Sequence, residues 1–596
     1  MTALSPGVTA PTGPLGADLL GRLTAVRLEQ GVNLVGRATL RFDDDGYRLS
    51  AGSWFAIGGQ LEVTAPGQKT PLFTGIVTAV ALEHSAHHVP ELVVTAHEPT
   101  HQMTSCAPPR TFESQPLLRT LETLVKAVNL EVDVAPGALP ADEVPYLLQT
   151  GTALALLDEV VRGHGAMWSF EAPDRIRVDP VGRSGPEVKL EFAEPGDTTG
   201  TKTLLTFSVR ATGGTPQAAH VRGWNPVLKE AIKGKFEGSP ENAESEFARP
   251  VVEQSWPAVT STAGSPNTAA EADARATALL ASARSDAVSG RGTALVDGRI
   301  RPGVAVAIGG AGPASGSYWI TRVEHAYDRR GFHTTFHTGS HRPRGLVDTL
   351  GNGNGVADTR IDGVLIGIVT ALNDPETLGR VRVKFPVMVS AEGTEIVSAW
   401  ARVATFDAGS GRGATFLPEI EDEVVVAFEN GDLRNPLILG AVFGGKNKPP
   451  DLETLLEQEN KVRSRRMTSR TGHVFEMVDE KSKGQILLKH GTKPLSMTFD
   501  EATSGIKIEA TNGEIELTNG KASIRIDKSG KVTIEGMGVE IKSKQDLTVE
   551  AQTNATIKST AAMAVEGMTL SAKGTTTALV QGGTSAAIKG GSVMIN

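Results

Sequence analysis

The last 96 residues, 501–596, contain no Phe, Tyr, Trp, Pro, His or Cys, and a stretch this long without rings cannot form an ordinary globular core. Apolar residues recur within it at a step close to eight residues. The step holds without drift, at eight or sixteen residues, at Leu547, Ala555, Met563, Leu579, Ala587 and Ile595. Most units read apolar–polar–apolar, with Gly, Asn, Ser, Lys and Asp between them. This pattern predicts a β-repeat array.

Each repeat unit holds only one or two small apolar side chains, too few to offset a backbone ordering entropy of about 1–2 kcal/mol per residue. A single-chain β-solenoid usually needs roughly 20 or more residues per coil, so eight residues make one side of a triangular cross-section. We therefore predict an intertwined trimeric β-helix or β-prism, whose strands pair between chains and leave no free edge. The alternative, a disordered Thr/Ser/Gly-rich tail, would have no reason to keep the spacing.

The amino-acid composition restricts the cell compartment and the binding partners that we expect for this chain. The single cysteine, Cys106, excludes an intrachain disulfide and a cysteine-based metal site, and it fits a reducing compartment. The N-terminus lacks the basic and apolar segments of a secretion signal, and no run of 18 apolar residues is present. With 59 basic and 68 acidic residues, the net charge of −9 disfavours general nucleic-acid binding. We expect assembly in the bacterial cytoplasm and no nucleic-acid partner.

Residues 1–345 have a strand-rich pattern with three clear helices. Alternating apolar residues predict strands at Leu92–Ala96, Arg175–Val178, Val304–Ile308 and Tyr318–Val323. Apolar residues at helical spacing predict helices around residues 117–128, 154–161 and 269–287. Thr268 and Glu271 are spaced as a capping box at the start of the third helix. This part is therefore mixed, and mainly β.

A Gly/Asn-rich segment, Gly351–Gly355, marks a boundary after this part. Short β runs separated by Gly, Pro, Asn and Asp turns then fill residues 360–445. About five strands in a segment of this length predict a small barrel. A polar stretch, 451–461, predicts a short helix or connector after it.

The segment His97-Glu98-Pro99-Thr100-His101 matches the H-E-x-x-H pattern of zinc peptidases. That chemistry needs a helix that turns both histidines to one metal. Here the preceding residues predict a strand, Pro99 falls where a helix interior tolerates it poorly, and no third ligand follows closely. We favour a loop after a strand, and keep a metallopeptidase as the alternative.

Other candidate chemical groups are weaker. Two histidine groups are candidate metal ligands: His84, His87, His88, His333, His337 and His341. Satisfied or solvent-facing histidines are the favoured interpretation of both, and Cys106 lacks a nucleophile signature.

A small basic patch follows the barrel and consists of Arg463, Arg465, Arg466 and Arg470. We interpret it as a solvated face or an inter-subunit contact rather than a nucleic-acid site.

The identification depends on a series of motifs in residues 360–450. They begin with Gly367-Ile368-Val369-Thr370 and Leu378–Pro386, and continue through Trp400–Ala404, Phe416–Glu419 and Asp422–Phe428. The signature positions are Gly379, Arg380, Val381, Phe385, Pro386, Trp400, Arg402, Pro418, Asp422, Glu423, Gly431 and Asp432. This segment resembles the OB-fold of VgrG-type spikes and of fused hub-and-spike proteins of contractile tails. Glu421 departs from the pattern, which usually has Gly there, and we expect it to change only a turn.

The resemblance implies a domain order of hub, OB-fold, neck and needle. We expect a hub of two related barrel-like subdomains with helices at 1–345, a Gly/Asn linker at 346–359, and an OB-fold at 360–448. A connector and neck at 449–500 would carry Ser469–His473, which resembles the family's neck, and the needle would follow at 501–596. The family is homotrimeric, so six similar hub surfaces would match a six-fold tube.

The resemblance also implies partners. An Hcp-like inner tube, baseplate proteins and effector cargo would bind the hub or spike, and the needle would contact the target membrane transiently. Three copies of Val593, Met594, Ile595 and Asn596 would form an exposed apolar tip that needs a cap, as a PAAR-type tip protein supplies. Because the needle has no His or Cys, a tip metal would belong to that partner. We expect no cofactor, metal or catalytic residue in this chain.

Two questions of function remain open at this point. Enzyme activity is the alternative, as a metallopeptidase or a glycan depolymerase, although a tail without aromatics is poorly suited to binding sugars. The second question is to which branch of the family the chain belongs. Tyr146-Leu147-Leu148-Gln149 stands where the type VI secretion branch typically has a Cys-Val-Gln-Tyr-type motif. We therefore favour the extracellular or phage-tail-like branch, whose particles are released from the cell in some systems.

Overall fold

A computed structural model describes residues 5–86, 88–105, 107–181, 187–192, 202–213, 216–238, 244–252, 256–261, 266–285, 287–339, 361, 363–390, 392–456 and 461–595. The chain divides into two units, Met1–Lys448 and Pro449–Asn596. The fold is mainly β in both units, as the sequence predicts. In the described part of the chain, no helix is long and apolar enough to cross a membrane.

The described part of residues 1–345, which we term the hub, begins with one half of a 13-stranded sheet. Its elements are β1 (Gly7–Ala10), β2 (Gly13–Pro14), α1 (Ala17–Leu20), β3 (Leu23–Gly31), β4 (Leu34–Asp43), β5 (Gln60–Thr64), β6 (Pro71–Glu83) and β7 (Glu91–His97). The strand order is β3-β4-β7-β6-β5-β1-β2, and all neighbours are antiparallel. Inward-facing residues such as Leu40, Phe42 and Leu61 are buried in its core.

A helical layer follows. Its elements are β8 (Arg110–Pro116), α2 (Leu117–Lys126), β9 (Glu131–Val134), β10 (Glu143–Gln149), α3 (Ala153–Gly163), β11 (Ala166–Glu171) and β12 (Arg175–Pro180). The apolar stripes of α2 and α3 pack together with Trp168, which lies in β11. The hydroxyl of Thr152 accepts a hydrogen bond from Ala155 N at 3.1 Å, so α3 begins with a side-chain cap.

The second half of the hub contains a further barrel-like sheet and a small α/β module. The elements are β13 (Glu187–Glu191), β14 (Leu204–Ala211), β15 (Ala218–Asn225), β16 (Glu230–Glu237), α4 (Arg249–Val252), β17 (Val259–Ser261), α5 (Ala269–Ser285), β18 (Val288–Leu295), β19 (Ala305–Gly309), β20 (Gly316–Asp328) and β21 (Gly331–Thr338). The predicted capping residue Thr268 accepts from Glu271 N at 3.1 Å. Helix α5 packs so closely on β16 that a Cβ at Gly234 would lie 2.2 Å from Ala272.

The OB barrel completes the first unit. Its strands are β22 (Val364–Ala371), β23 (Arg382–Val389), β24 (Glu395–Val397), β25 (Arg402–Val403), β26 (Ala408–Gly409), β27 (Arg412–Gly413), β28 (Glu423–Phe428) and β29 (Pro436–Ala441). The sheet order is β24-β23-β22-β28-β29-β25. Within the Trp400–Ala404 motif, only Arg402 and Val403 pair with β29, while Ala401 bridges to Val381.

The second unit is an antiparallel meander followed by extended chain. Its elements are α6 (Leu452–Leu455), β30 (Ser464–Thr468), β31 (Val474–Val478), β32 (Gln485–Lys489), β33 (Leu495–Asp500), β34 (Gly505–Ala510), β35 (Ile515–Thr518), β36 (Ser523–Ile526) and β37 (Val532–Glu535). Strands β30 to β34 pair in sequence order, and so do β35 to β37. Strand pairing within one chain therefore continues past residue 501, where we expected the intertwined needle to begin, and reaches Glu535.

Candidate functional site

Asp374 organises the loop between β22 and β23 of the OB barrel. Its carboxylate accepts hydrogen bonds from the backbone nitrogens of Glu376 at 3.1 Å and Leu378 at 2.8 Å. The Arg380 guanidinium donates to both carboxylate oxygens, at 2.7 and 3.1 Å, and holds the pKa of Asp374 well below its usual range. Gly379 between them has φ of +72°, a conformation that favours glycine. Gly379 and Arg380 therefore shape a turn.

The other signature residues are distributed around the barrel and do not form one chemical site. Val381 and Phe385 are buried in the core. The Arg382 guanidinium lies 5.3 Å from the ring centroid of Trp400, a cation–π contact. Two further signature residues make polar contacts, since Arg402 pairs with Glu429 and Asp422 accepts a hydrogen bond from Glu419 N. Glu423 begins β28. The remaining signature positions differ in exposure: Gly431 is buried, Pro418 is half-buried and Pro386 is exposed.

Asp432 joins the OB barrel to the hub through a buried ionic network. Arg434 Nη2 lies 2.7 Å from Asp432 Oδ2, and Arg434 Nη1 lies 2.9 Å from Glu271 Oε1 on α5. Arg275 Nη2 also binds Glu271 Oε1, at 2.7 Å. Burial alone would lower the pKa of Arg434, but the hydrogen bonds and charges of Asp432 and Glu271 outweigh it and raise that pKa. The sequence showed the signature residue Asp432 but not the contact of Arg434 with Glu271, because α5 is distant in the chain.

Tyr146 makes a second contact between the hub and the OB barrel. Its hydroxyl donates to the carbonyl of Val397 at 2.8 Å. The rings and side chains of Tyr146 and Leu148 are buried in the core of the OB barrel. Burial raises the pKa of Tyr146 above its usual value. The Tyr146–Gln149 segment therefore packs the hub against the OB barrel, and this role does not depend on the branch of the family.

One face of the β30–β34 sheet is a continuous apolar surface, which we term the neck face. It consists of Met467, Phe475, Met477, Ile486, Leu488, Met497, Phe499, Ile506 and Ile508. Cross-strand partners are apolar on both sides, as in Met477 opposite Ile486 and Ile486 opposite Phe499. Most of these side chains are exposed in a single chain. In the described part of 449–595, no cluster of buried apolar side chains is found.

Residues 536–595 are extended and pair with no other strand of the described chain. Their apolar side chains are exposed, including the repeat positions Leu547, Met563 and Leu579. Turns of similar geometry recur sixteen residues apart, since the Ser543 hydroxyl donates to the carbonyl of Asp546 and the Ser559 hydroxyl to that of Ala562. Backbone bends recur at residues 536–537, 544–545, 552–553, 560–561 and 568–569, so the eight-residue period is present in the backbone as well as in the sequence.

The expected tip residues Val593, Met594 and Ile595 are all exposed. Asn596, His87, Cys106, His341 and the expected linker 346–359 lie outside the described residues.

The H-E-x-x-H segment does not adopt the geometry of a zinc peptidase. His97 ends β7, and Pro99–Thr104 form a 3-10 helix. Glu98 is buried; its carboxyl accepts from Gly36 N at 2.7 Å and from Gln30 Nε2 at 2.9 Å, and burial raises its pKa to about 7. With its carboxyl held by these two donors, Glu98 is not placed to activate a water between the histidines. Across the described residues, no group of three or more His, Cys, Asp or Glu could hold a metal ion.

The basic patch is charge-balanced. Arg463 pairs with Glu480 at 3.3 Å, and Arg465 pairs with Asp479. Arg466 binds Glu476 at 2.8 Å, and a nearby hydroxyl, Ser464 Oγ, donates to the same carboxylate. These arginines stabilise the neck sheet, which supports a structural interpretation of the patch.

Comparison with known proteins agrees with this architecture. Residues 365–443 match the model of the type VI secretion system/phage-baseplate injector OB domain. The chain is 30% identical over 197 residues to the actin cross-linking toxin VgrG1 of Vibrio cholerae, covering 29% of this chain and 18% of that protein. It is 36% identical over 98 residues to the type VI secretion system spike protein VgrG3 of Vibrio cholerae, covering 16% of this chain and 10% of that protein.

A solved structure resembles the fold over a longer stretch. A chain of the lidded Francisella PdpA–VgrG complex superposes with a TM-score of 0.50 at 7% identity, covering 85% of this chain and 79% of that chain. Fold and comparisons together show a β-rich protein with an injector OB domain at residues 365–443. More specifically, they support the recognition of this chain as a VgrG-type spike. VgrG3 is a type VI secretion system spike protein, whereas the Tyr146–Gln149 segment favours the extracellular branch, so the branch of this chain stays a prediction.

Proposed function

We propose that the protein is the structural, homotrimeric spike at the tip of a contractile injection machine. It adapts a six-fold tube to a three-fold needle that pierces a target membrane. Contraction of the machine drives the tube and spike forward, and the spike transmits the force mechanically. VgrG3 and VgrG2a, two relatives similar to part of this chain, are type VI secretion system spike proteins, which supports a contractile injection machine.

The observation that carries the proposal is the unpaired repeat of residues 536–595. Extended backbone without partners leaves a row of hydrogen-bonding groups open, and apolar side chains beside it favour association. Pairing with two further copies would satisfy both, since each copy supplies one side of a triangular section. The small residues of the repeat allow the chains to approach a common axis closely.

The neck face supports the same oligomer. A sheet with an apolar face needs a second layer to cover it. In the described part of the second unit no such layer is present, so copies of the neck face are the proposed cover. Strands β35 to β37 continue the pattern, because Ile515 pairs with Ile526 and Leu517 with Ile524 on one face.

The proposed partners follow from this arrangement. The hub contacts an Hcp-like tube and baseplate proteins, and the particle assembles in the bacterial cytoplasm before any release. Effector cargo is bound to the hub or spike. The enzymatic alternative is disfavoured at the H-E-x-x-H segment, because the buried Glu98 carboxyl is held by Gly36 N and Gln30 Nε2.

We propose that the exposed residues Val593–Ile595 bind a PAAR-type tip protein. Deletion of residues 593–596 is expected to abolish tip binding in a pull-down and to leave the number of subunits in the oligomer unchanged. As a control, Met537→Ser removes an equally exposed apolar side chain far from the chain end and should keep tip binding. Undiminished tip binding by the deletion variant would contradict this assignment.

A further inference from the structure

The two barrel-like halves of the hub repeat the same strand order. In the first half, β3-β4-β7-β6-β5 are neighbours in this sequence, and in the second half β14-β18-β21-β20-β19 are neighbours in the same way. All of these neighbours are antiparallel. The outermost strands differ, since β1 is antiparallel to β5 while β13 is parallel to β19. The hub therefore contains one sheet motif twice.

Irregularities occur at the same places in both halves. The pairing of β6 with β7 shifts between Val77 and Ala79, and that of β20 with β21 shifts between Ile320 and Arg322. At the two bulges, the hydroxyls of Thr78 and Thr321 each donate to a carbonyl of the adjacent strand at 3.3 Å. The pairing of β3 with β4 and of β14 with β18 also shifts after the first residue pair. These shared bulges fix which residues correspond.

The two halves are joined through one strand pair. Beyond its bulge, β20 pairs antiparallel with β3, from Arg322 opposite Gly31 to Tyr327 opposite Val26. This junction buries Val323 and His325, which are 0% and 1% exposed. Salt bridges flank it, because Arg27 Nε lies 2.8 Å from Glu324 Oε1.

The counterparts of this junction lack a partner in the described chain. Beyond its own bulge, the end of β6 pairs only with β7, and β14 pairs only with β18 apart from a bridge at Leu204. Val80 and Leu82, which correspond to Val323 and His325, are 38% and 39% exposed. An exposed strand edge of this kind readily accepts a strand from another chain.

We propose that the end of β6 in one copy pairs with β14 of the next copy in the homotrimer. The proposal rests on the homotrimer proposed above. Transferring the register of the internal junction places Leu82 opposite Val209 and Val80 opposite Ala211. Arg210 lies opposite Ala81 and diagonal to Glu83, an arrangement of opposite charges that stabilises strand pairs. Because the interface joins two different edges, it is heterologous and must close into a ring or continue as a filament.

Cysteine cross-linking tests the register. In a Cys106→Ser background, the variant with both Leu82→Cys and Val209→Cys is oxidised with copper phenanthroline and run on a non-reducing denaturing gel. Directly opposed antiparallel residues have Cα atoms about 4.5–5.5 Å apart, within the range a disulfide allows. We expect covalent dimers and trimers, and a ladder that stops at the trimer.

Three controls share the background: Leu82→Cys alone, Val209→Cys alone, and Leu82→Cys with Arg210→Cys, which points one cysteine to the opposite face. None should cross-link efficiently. Cross-linking of a single-cysteine variant, a ladder beyond the trimer, or equal cross-linking of the offset pair would overturn the proposed interface. A trimer by light scattering that the 82/209 pair does not cross-link would overturn the interface and leave the proposed function intact. A monomer by light scattering would overturn both.

Discussion

Glu421 occupies a backbone conformation that suits glycine better. Its φ is +70°, and its nitrogen donates to the carbonyl of Val369 at 2.9 Å in the turn before β28. A side chain in the left-handed region costs about 1–2 kcal/mol. We expect Glu421→Gly to raise the free energy of unfolding of the OB barrel by about 1 kcal/mol in denaturant titrations. Glu423→Gly, within β28, should lower it instead, and a loss of stability in Glu421→Gly would contradict the strain.

Glu98 makes hub stability depend on pH. Its pKa is raised from 4.5 to about 7 because it is buried, so the folded state keeps a proton that the unfolded state releases above pH 4.5. The contribution of Glu98 to the free energy of unfolding should therefore be fully present below about pH 4.5 and be lost as pH rises to about 7, by up to about 3 kcal/mol.

Glu98→Gln isolates this effect, because the amide oxygen can still accept from Gly36 N and the group no longer titrates. The difference in denaturation midpoint between the two proteins should change across pH 5–7 and level off above. A difference independent of pH would contradict the assignment to Glu98.

Single residues were predictable where a local rule constrains them. The capping role of Thr268 and the turn at Glu421 could be identified from spacing and from the family pattern. The contact of Arg434 with Glu271 could not be, because Glu271 is more than 150 residues away and its helix has no pattern that points to the OB barrel.

At the level of elements, the ionic network around Arg434 fixes the OB barrel against α5. Removing one partner of a buried network leaves charges unpaired and typically costs about 3–5 kcal/mol. We expect Arg434→Ala to lower the free energy of unfolding of the first unit by that amount in denaturant titrations, because Glu271 and Asp432 lose their shared cation.

Arg412→Ala is the matched control. Arg412 pairs with Asp407 on the OB barrel, but both side chains are largely exposed, so its loss should cost less than about 1 kcal/mol. Equal effects of the two substitutions would show that the buried network does not hold the junction.

Elements with a strong local pattern were predicted well. Strands β7, β12 and β20 contain three of the four predicted segments, β19 begins one residue after the start of the fourth, Val304–Ile308, and α2, α3 and α5 lie where apolar spacing placed them. Ile524 and Val532 also fit the eight-residue step but lie in antiparallel strands paired within one chain, since period-2 alternation is the same in both structures. The duplicated sheet was expected from the family resemblance, whereas its matching bulges appear only in the strand register.

At the scale of the whole molecule, both units have features that a three-fold symmetric assembly would complete. The second unit has an apolar neck face and an unpaired repeat, and the first unit has two similar strand edges without partners in the described chain. Each feature is incomplete in one chain, and the proposed closed assembly of three would complete it. The scarcity of rings after Phe499, from which the symmetry was first inferred, fits small side chains meeting at a common axis.

The subunit number of the purified protein tests this most directly. Light scattering at several concentrations should give a mass near three times 62.6 kDa, with no dissociation on dilution. A stable species of 62.6 kDa, folded and soluble, would contradict the account, because one chain leaves the neck face and the repeat uncovered.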